Sequence, residues 1–171
     1  ETVPQGRKNK GAYHAAGNAL LYGATGGQLY ISGRVGQRFG VRNSGGIAVV
    51  EGCSAHAAEY MTGGTLIILG SIGFNFGAGM TGGKVILLKT QKNFSQYISK
   101  SAPELREIND IDILELRAFL NKHIEQTGSE LAQDILSKEE NWSKMFAVFG
   151  GLDTVTDQEI SRAKEKIESL D

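Results

Sequence analysis

The stretch CSAHAAE, residues 53–59, places a thiol at Cys53, an imidazole at His56 and a carboxylate at Glu59. A thiol beside an imidazole is the pairing used in nucleophilic catalysis, and all three residue types ligate metals. No further ligand stands at a recognised metal-site spacing, and a lone cysteine ordinarily packs as a small hydrophobe. A second stretch, GAGMTG at residues 77–82, is a literal G-x-G-x-x-G. That motif cradles a pyrophosphate only where it follows a strand and opens a helix. Here it runs into GKVILL, which is aliphatic and β-branched and reads as a strand. A P-loop is excluded by Ala78 and Val85, where glycine and a hydroxyl residue are required. Arg34, Arg38 and Arg42 form a basic row that suits an anion, a solvated face or an acidic partner. His123 stands near the end of a helical pattern, where it suits a capping or dipole role. His14 belongs to no pattern.

The elements that would hold these residues are written in the glycines. The chain has 171 residues and 23 glycines, of which 20 precede residue 91. Gly-Gly pairs stand at 26–27, 45–46, 63–64 and 82–83, spaced by 19, 18 and 19 residues. Each is followed by a five-residue apolar segment: QLYIS, IAVVE, TLIIL and KVILL. Gly33, Gly36, Gly40 and Gly45 recur 37 residues later as Gly70, Gly73, Gly77 and Gly82. A fixed short period of β-rich units without a helix in the unit predicts a solenoid with stacked coils. The columns Leu29/Ala48/Leu66/Val85 and Ile31/Val50/Ile68/Leu87 share one face by strand alternation and fill the coil. The column Tyr30/Val49/Ile67/Ile86 faces outward and is apolar too, so that face needs a cover. The helical tail or a partner domain would supply it.

Corner positions explain the glycines at 26, 27, 33, 36, 40, 45, 46, 52, 63, 64, 70, 73, 77, 82 and 83 (Gly26, Gly27, Gly33, Gly36, Gly40, Gly45, Gly46, Gly52, Gly63, Gly64, Gly70, Gly73, Gly77, Gly82, Gly83). Tight corners need φ > 0 or leave no room for a Cβ. The G-x-G-x-x-G is then a piece of corner repeat.

Three domains follow: an irregular segment at 1–17, the Gly-rich coils at 18–90 and a helical extension at 91–171 that packs on them. The halves differ in charge. Residues 1–90 carry eight Lys or Arg against three Asp or Glu, whereas residues 91–171 carry ten against sixteen. In the tail, residues 94–100 read as a short helix. Ile113, Leu116, Leu120 and Ile124 keep helical spacing behind a cap at Asp110 or Asp112. Gly128 stops that helix, and Thr127 or Ser129 caps the next. Residues 142–149 read as extended. Thr156 and Glu159 form a capping box for a last helix.

The net charge of −1 gives no footprint for nucleic acid. One cysteine excludes an internal disulfide and a multi-cysteine iron–sulfur site. No apolar run has membrane-spanning length and no signal peptide is visible, so the expected location is cytoplasmic. A start at Glu1 rather than Met fits a piece of a longer polypeptide.

LYGATGG (21–27), RFGVRNSG (38–45), AVVEG (48–52), HAAEYMTGG (56–64) and NFGAGMTGG (75–83) resemble the C-terminal GXGXG domain of the glutamate synthase family. HIEQTGSELAQDIL (123–136), and Trp142 with FAV (146–148), resemble the segment that follows it. The resemblance implies a mainly β fold, a right-handed single-stranded parallel β-helix with coils of 18–19 residues and an α-helical tail. It implies a non-catalytic scaffold, with no cofactor of its own. In the family, partner domains supply an amidotransferase, which releases ammonia from glutamine, and an FMN-binding synthase, which forms glutamate from 2-oxoglutarate. FMN and an iron–sulfur cluster belong to those partner domains. Two other readings stand beside this one. One is a β-helix subunit of a different complex, similar to those of N-methylglutamate synthase or formylmethanofuran dehydrogenase. The other is an independent small-molecule binder built on Cys53, His56 and Glu59. A homo-oligomer through the N-terminal coil end is a further expectation, because residues 1–16 show no repeat able to cap it.

Overall fold

The computed structural model describes residues 14–152 and 154–170. Four strands recur with the glycine period: β1 (Gln28–Ile31), β2 (Ser44–Val50), β3 (Thr62–Ile68) and β4 (Gly82–Leu88). Each pairs in parallel with the next, in the register Leu29–Ala48–Leu66–Val85. Each turn of the chain therefore returns to the same sheet one strand further along. The turns between strands stack as well. His14 bridges Arg34, Val35 bridges Cys53 and Phe76 bridges Ile98, all in parallel. The result is a glycine-rich β-solenoid, mainly β with a helical tail. Stacking already includes residues 14–17, since Ala15 N–H donates to Arg34 O and Gly36 N–H to Gly17 O. The rest of the irregular segment expected at 1–17, residues 1–13, lies outside the described residues.

The turns have a backbone logic of their own. Three columns hold left-handed φ in every coil: Ala19/Arg38/His56/Asn75, Leu21/Gly40/Ala58/Gly77 and Gly23/Arg42/Tyr60/Gly79. Left-handed residues thus alternate with others along each turn. Their amides point up and down the stack in turn. Arg38 N–H donates to Ala55 O at 3.0 Å and Arg42 N–H to Glu59 O at 2.9 Å, both in the next coil. Gly40 N–H donates backward to Leu20 O at 2.9 Å. The conformation therefore satisfies backbone groups that a tight turn would otherwise strand. For a residue with a Cβ it costs about 1–3 kcal/mol.

The glycines divide into two kinds. Gly27, Gly40, Gly64, Gly77 and Gly83 hold φ between +68° and +87°. Gly33 and Gly52 also have positive φ, at 154° and 140°. Gly36, Gly45, Gly63, Gly70, Gly73 and Gly82 have no such φ. A Cβ on them would lie 2.1–2.4 Å from an atom of the preceding coil, backbone in every case but Gly36, where it is the Asn18 side chain. Gly46 sits in a milder squeeze against Asn43 Oδ1 at 3.0 Å, and Gly26 has open space and no positive φ, so neither corner requirement applies to Gly26.

The coil interior is apolar. Ala48, Val50, Leu66, Ile68, Val85 and Leu87 fill it with Phe39, Met61 and Phe76 from the turns. Its C-terminal end is closed by β5 (Leu105–Arg106) and β6 (Phe146–Gly150). β6 runs antiparallel to β4 with Phe149 opposite Val85, which turns Phe149 inward against Phe76, ring centroids 5.4 Å apart. Among the described residues, β1 stands at the other end of the sheet order β1-β2-β3-β4-β6-β5.

The outer face is covered by α1 (Asp110–Thr127) and α2 (Glu130–Leu136). Leu116, Phe119 and Leu120 of α1, with Ala132 and Ile135 of α2, bury Val49, Ile67 and Ile86. Full burial of such a side chain contributes about 1.5–3 kcal/mol. The cap of α1 is Asn109, not Asp110 or Asp112. Asp112 instead occupies the third position of a capping box, its carboxylate accepting from Asn109 N–H at 3.0 Å. Gly128, at φ 67°, stops α1, and Ser129 caps α2. Residues 94–97 form a 3-10 turn. The stretch expected to be extended from Trp142 is first a helical turn, α3 (Trp142–Met145), and becomes strand only at Phe146. Trp142 Nε1–H donates to the Ile135 carbonyl at 2.9 Å, which fixes that turn against α2. α4 (Asp157–Glu168) carries the Thr156–Glu159 capping box.

Candidate functional site

Strand alternation and the turn columns separate the first cluster by face. Cys53 is fully buried in the coil interior, where burial pushes its thiol up to about 12 against the pull of the Arg34 guanidinium. His56 sits in a left-handed turn position at the surface. Its Nδ1 is 2.7 Å from Glu59 Oε1, and Asn75 Nδ2–H donates to that same oxygen at 2.8 Å. Glu59 thus orients an imidazole, which is half of a general-base arrangement. The thiol is in the core and protonated. Among the described residues no group of three His, Cys, Asp or Glu could hold a metal ion. The GAGMTG stretch runs directly into β4, so its glycines serve turns and not a helix N-terminus.

The arginine row is split too. Arg34 turns along the coil and donates to the carbonyls of Cys53 at 2.9 Å and Ser71 at 3.3 Å, stapling two successive turns, and its guanidinium also meets the Ser71 hydroxyl. Arg38 and Arg42 are exposed. His14 is exposed on the first described turn.

Two buried polar clusters were not visible in sequence reasoning. Glu51, just past β2, is 4% exposed and accepts from Ser32 Oγ at 3.1 Å, from Ser129 Oγ and from His123 Nε2 at 3.3 Å. Since a carboxylate only accepts, Nε2 carries the proton. His123 Nδ1 has no partner among the described residues. Burial pushes the Glu51 carboxyl up, but the bonds from His123, Ser129 and Ser32 outweigh it and hold the group below its usual range. The second cluster ties Lys84 of β4 to Asp112 at 2.9 Å and Glu115 at 2.5 Å, while Arg106 of β5 reaches Asp112 at 2.6 Å. Burial pushes Asp112 up, and Arg106 with Lys84 outweighs that and holds it low. The two clusters pin opposite ends of α1 to the outer sheet face. The one sequence signal was a charged residue within or directly after an apolar strand segment, Lys84 and Glu51. Their partners are 72 and 28 residues away, and no local pattern marks them.

An open cleft of about 560 Å³ lies beside β1, lined by Gln28, Tyr30, Lys122, Glu125, Gln126 and Leu170. Lys122 Nζ and Gln28 Nε2 donate to the Leu170 carbonyl at 2.9 and 3.3 Å, which ties Leu170 to α1 and β1. No helix among the described residues is long and apolar enough to cross a membrane.

A stacked glycine-rich coil capped by an antiparallel pair and overlaid by helices defines a β-solenoid domain of repeat type. The GXGXG motif family matches residues 3–150, and the chain belongs to that family. It is 37% identical over 155 residues to the chloroplastic ferredoxin-dependent glutamate synthase of Spinacia oleracea, covering 90% of this chain and 9% of that one. It is 48% identical over 122 residues to the NADH glutamate synthase of Schizosaccharomyces pombe, covering 71% and 6%. It is 42% identical over 137 residues to the NADPH glutamate synthase large chain of Bacillus subtilis, covering 76% and 9%. The chain thus spans less than a tenth of the length of these relatives.

Proposed function

We propose that this chain is a non-catalytic scaffold within a glutamate synthase, an oxidoreductase assembly of nitrogen metabolism in the cytoplasm. The observation that carries the reading is that the chain aligns at 37–48% identity with short segments of three glutamate synthases that differ in electron donor. A part common to enzymes using ferredoxin, NADH or NADPH suits a role independent of the donor. The interior is packed with apolar side chains, and the buried charges are consumed in holding α1 to the sheet, which suits a rigid support. In this reading the coils at 18–90 and the helical extension at 91–171 act as one support. The corner glycines shape it, and the His56–Glu59 pair is a surface feature. The amidotransferase and FMN-binding synthase domains, with FMN and the iron–sulfur cluster, lie elsewhere in the assembly. A neighbouring domain or a second copy abuts the N-terminal end of the coil.

The experiment is to assemble the catalytic portion of the enzyme with and without this chain. Glutamine-dependent glutamate formation, and co-elution of the parts, should require the chain. Full activity and intact assembly in its absence would refute the scaffold.

A further inference from the structure

We infer that the turn face carrying Arg38, Arg42, His56, Tyr60 and Asn75 docks an acidic, partly apolar segment of the enzyme's catalytic portion. The inference rests on the scaffold reading and names the face that would do the holding.

Four observations support it. The first is backbone strain borne by exposed side chains. All five residues hold left-handed φ, between 53° and 66°. Gly23 and Gly79 occupy the positions equivalent to Arg42 and Tyr60 in other coils, so glycine serves that column without strain. His56 and Asn75 recover something through Glu59, and Tyr60 lies over Gly79. Arg38 and Arg42 keep the amide bonds to Ala55 and Glu59 that a glycine would make as well, and among the described residues their side chains add no hydrogen bond. They are exposed, and among the described residues neither has an ionic partner.

The second is charge. Arg38 and Arg42 stand four residues apart on one turn, and the coil below them carries His56 and Tyr60 in the same columns. The carboxylate in that coil, Glu59, is taken by His56 and Asn75. Two exposed guanidinium forks therefore stand without a counter-ion among the described residues, and such forks recognise carboxylates bidentately. The third is apolar exposure. Tyr22, Tyr60 and Phe74, at 54%, 57% and 66%, belong to these turns, and Phe74 is held against Tyr97 at 5.1 Å between ring centroids. Exposed aromatic residues with arginine are the enriched composition of protein interfaces. The fourth is what lies outside the chain. More than nine-tenths of the length of the relatives is beyond the aligned region, so the occupant sought is a segment of that remainder.

The test uses the purified catalytic portion, titrated onto this chain, with melting of each variant recorded alongside. Arg38→Gly/Arg42→Gly relieves the left-handed strain, so the double variant should melt within a few degrees of the parent. Its affinity should nevertheless fall by at least about tenfold near physiological salt, and the salt dependence of binding should flatten. Tyr60→Ala should weaken binding as well, while Lys144→Glu on α3 should not. Parent-like affinity in the folded double variant, with binding by the unaltered chain, would overturn this face and leave the scaffold standing. No binding by the unaltered chain would bring down both.

Discussion

Gly64→Ala is the sharpest test of the stacked coil. Gly64 lies at φ +80°, and an added Cβ would sit 2.3 Å from Gly46 O, 2.7 Å from Asn43 Nδ2 and 3.1 Å from Gly46 N. Two of those atoms are backbone of the preceding coil, held between Ser44 and Ile47, which pair with Gly63 and Thr65 of β3. Neither can rotate aside. The left-handed φ costs an alanine about 1–3 kcal/mol. Overpacking against a rigid neighbour costs about 1–3 kcal/mol more. In a chain of this size each kcal/mol moves the melting temperature by roughly 2–4 °C, so a drop of roughly 5–20 °C is expected. Two controls separate the terms. Gly40, at φ +68°, would meet Leu66 Cδ1 at 2.6 Å, a methyl that can swing away, so Gly40→Ala should cost less. Gly26 has neither a positive φ nor an atom within 4 Å, so Gly26→Ala should change melting by no more than about 1 kcal/mol in stability terms. Calorimetry of the three variants gives the order directly. Equal losses at Gly64 and Gly26 would mean that coil contact does not decide these positions, and the stacked corner would have to be abandoned.

Glu51 and Asp112 are both held below their ordinary values of 4.5 and 3.8, so their charged forms favour the fold. That contribution is complete above the ordinary values and is lost as pH falls through the lower folded ones. Melting against pH should therefore decline on the acid side, and Glu51→Gln or Asp112→Asn should flatten that decline while lowering melting at neutral pH. An unchanged acid limb in both variants would contradict the assignment. Asp112→Ala removes the buried carboxylate that Lys84 and Arg106 share, leaving Lys84 with Glu115, and chemical denaturation should show a loss of about 3 kcal/mol, with a loss below about 1 kcal/mol counting against the pin. The Cys53 thiol, buried and pushed up to about 12, should resist a thiol reagent until the chain is unfolded. Rapid stoichiometric labelling of the native chain would place it elsewhere. Titration with FMN or NADPH should show no saturable binding, and micromolar affinity for either would reopen the dinucleotide reading of residues 77–82.

The strand columns were legible because a period of 18–19 residues puts like residues above one another. Leu29, Ala48, Leu66 and Val85 are in register as the period requires. The cover over Tyr30, Val49 and Ile67 was legible as a need, and the helical spacing of Leu116 and Leu120 indicated what would meet it. The left-handed columns were not legible. Glycine marks such positions only where it is used, and Arg38, His56 and Tyr60 occupy them with side chains that disfavour the conformation. The cap of α1 was expected at Asp110 or Asp112, one or three residues late, because Asn109 and Asp112 divide the capping box and either aspartate looks suitable in one dimension. In CSAHAAE, nearness in sequence suggested a shared site. Burial then put the cysteine in the core and left the histidine and glutamate at the surface.

The two polar clusters explain why the tail is more than a lid. Apolar contact alone would let α1 slide or rotate on the outer face, because Ile67 and Ile86 offer no directional partner. Lys84 with Asp112 near the start of α1, and Glu51 with His123 near its end, fix both position and rotation. The same pins tie the tail to different coils, β4 at one end and the end of β2 at the other. A solenoid is held mainly by contacts between neighbouring coils and can open one turn at a time. A helix anchored across several turns opposes that opening. Cutting either pin should therefore increase amide exchange in β2 through β4 together, not only in α1. Exchange confined to the helix would show that the coils hold themselves and that α1 only covers them.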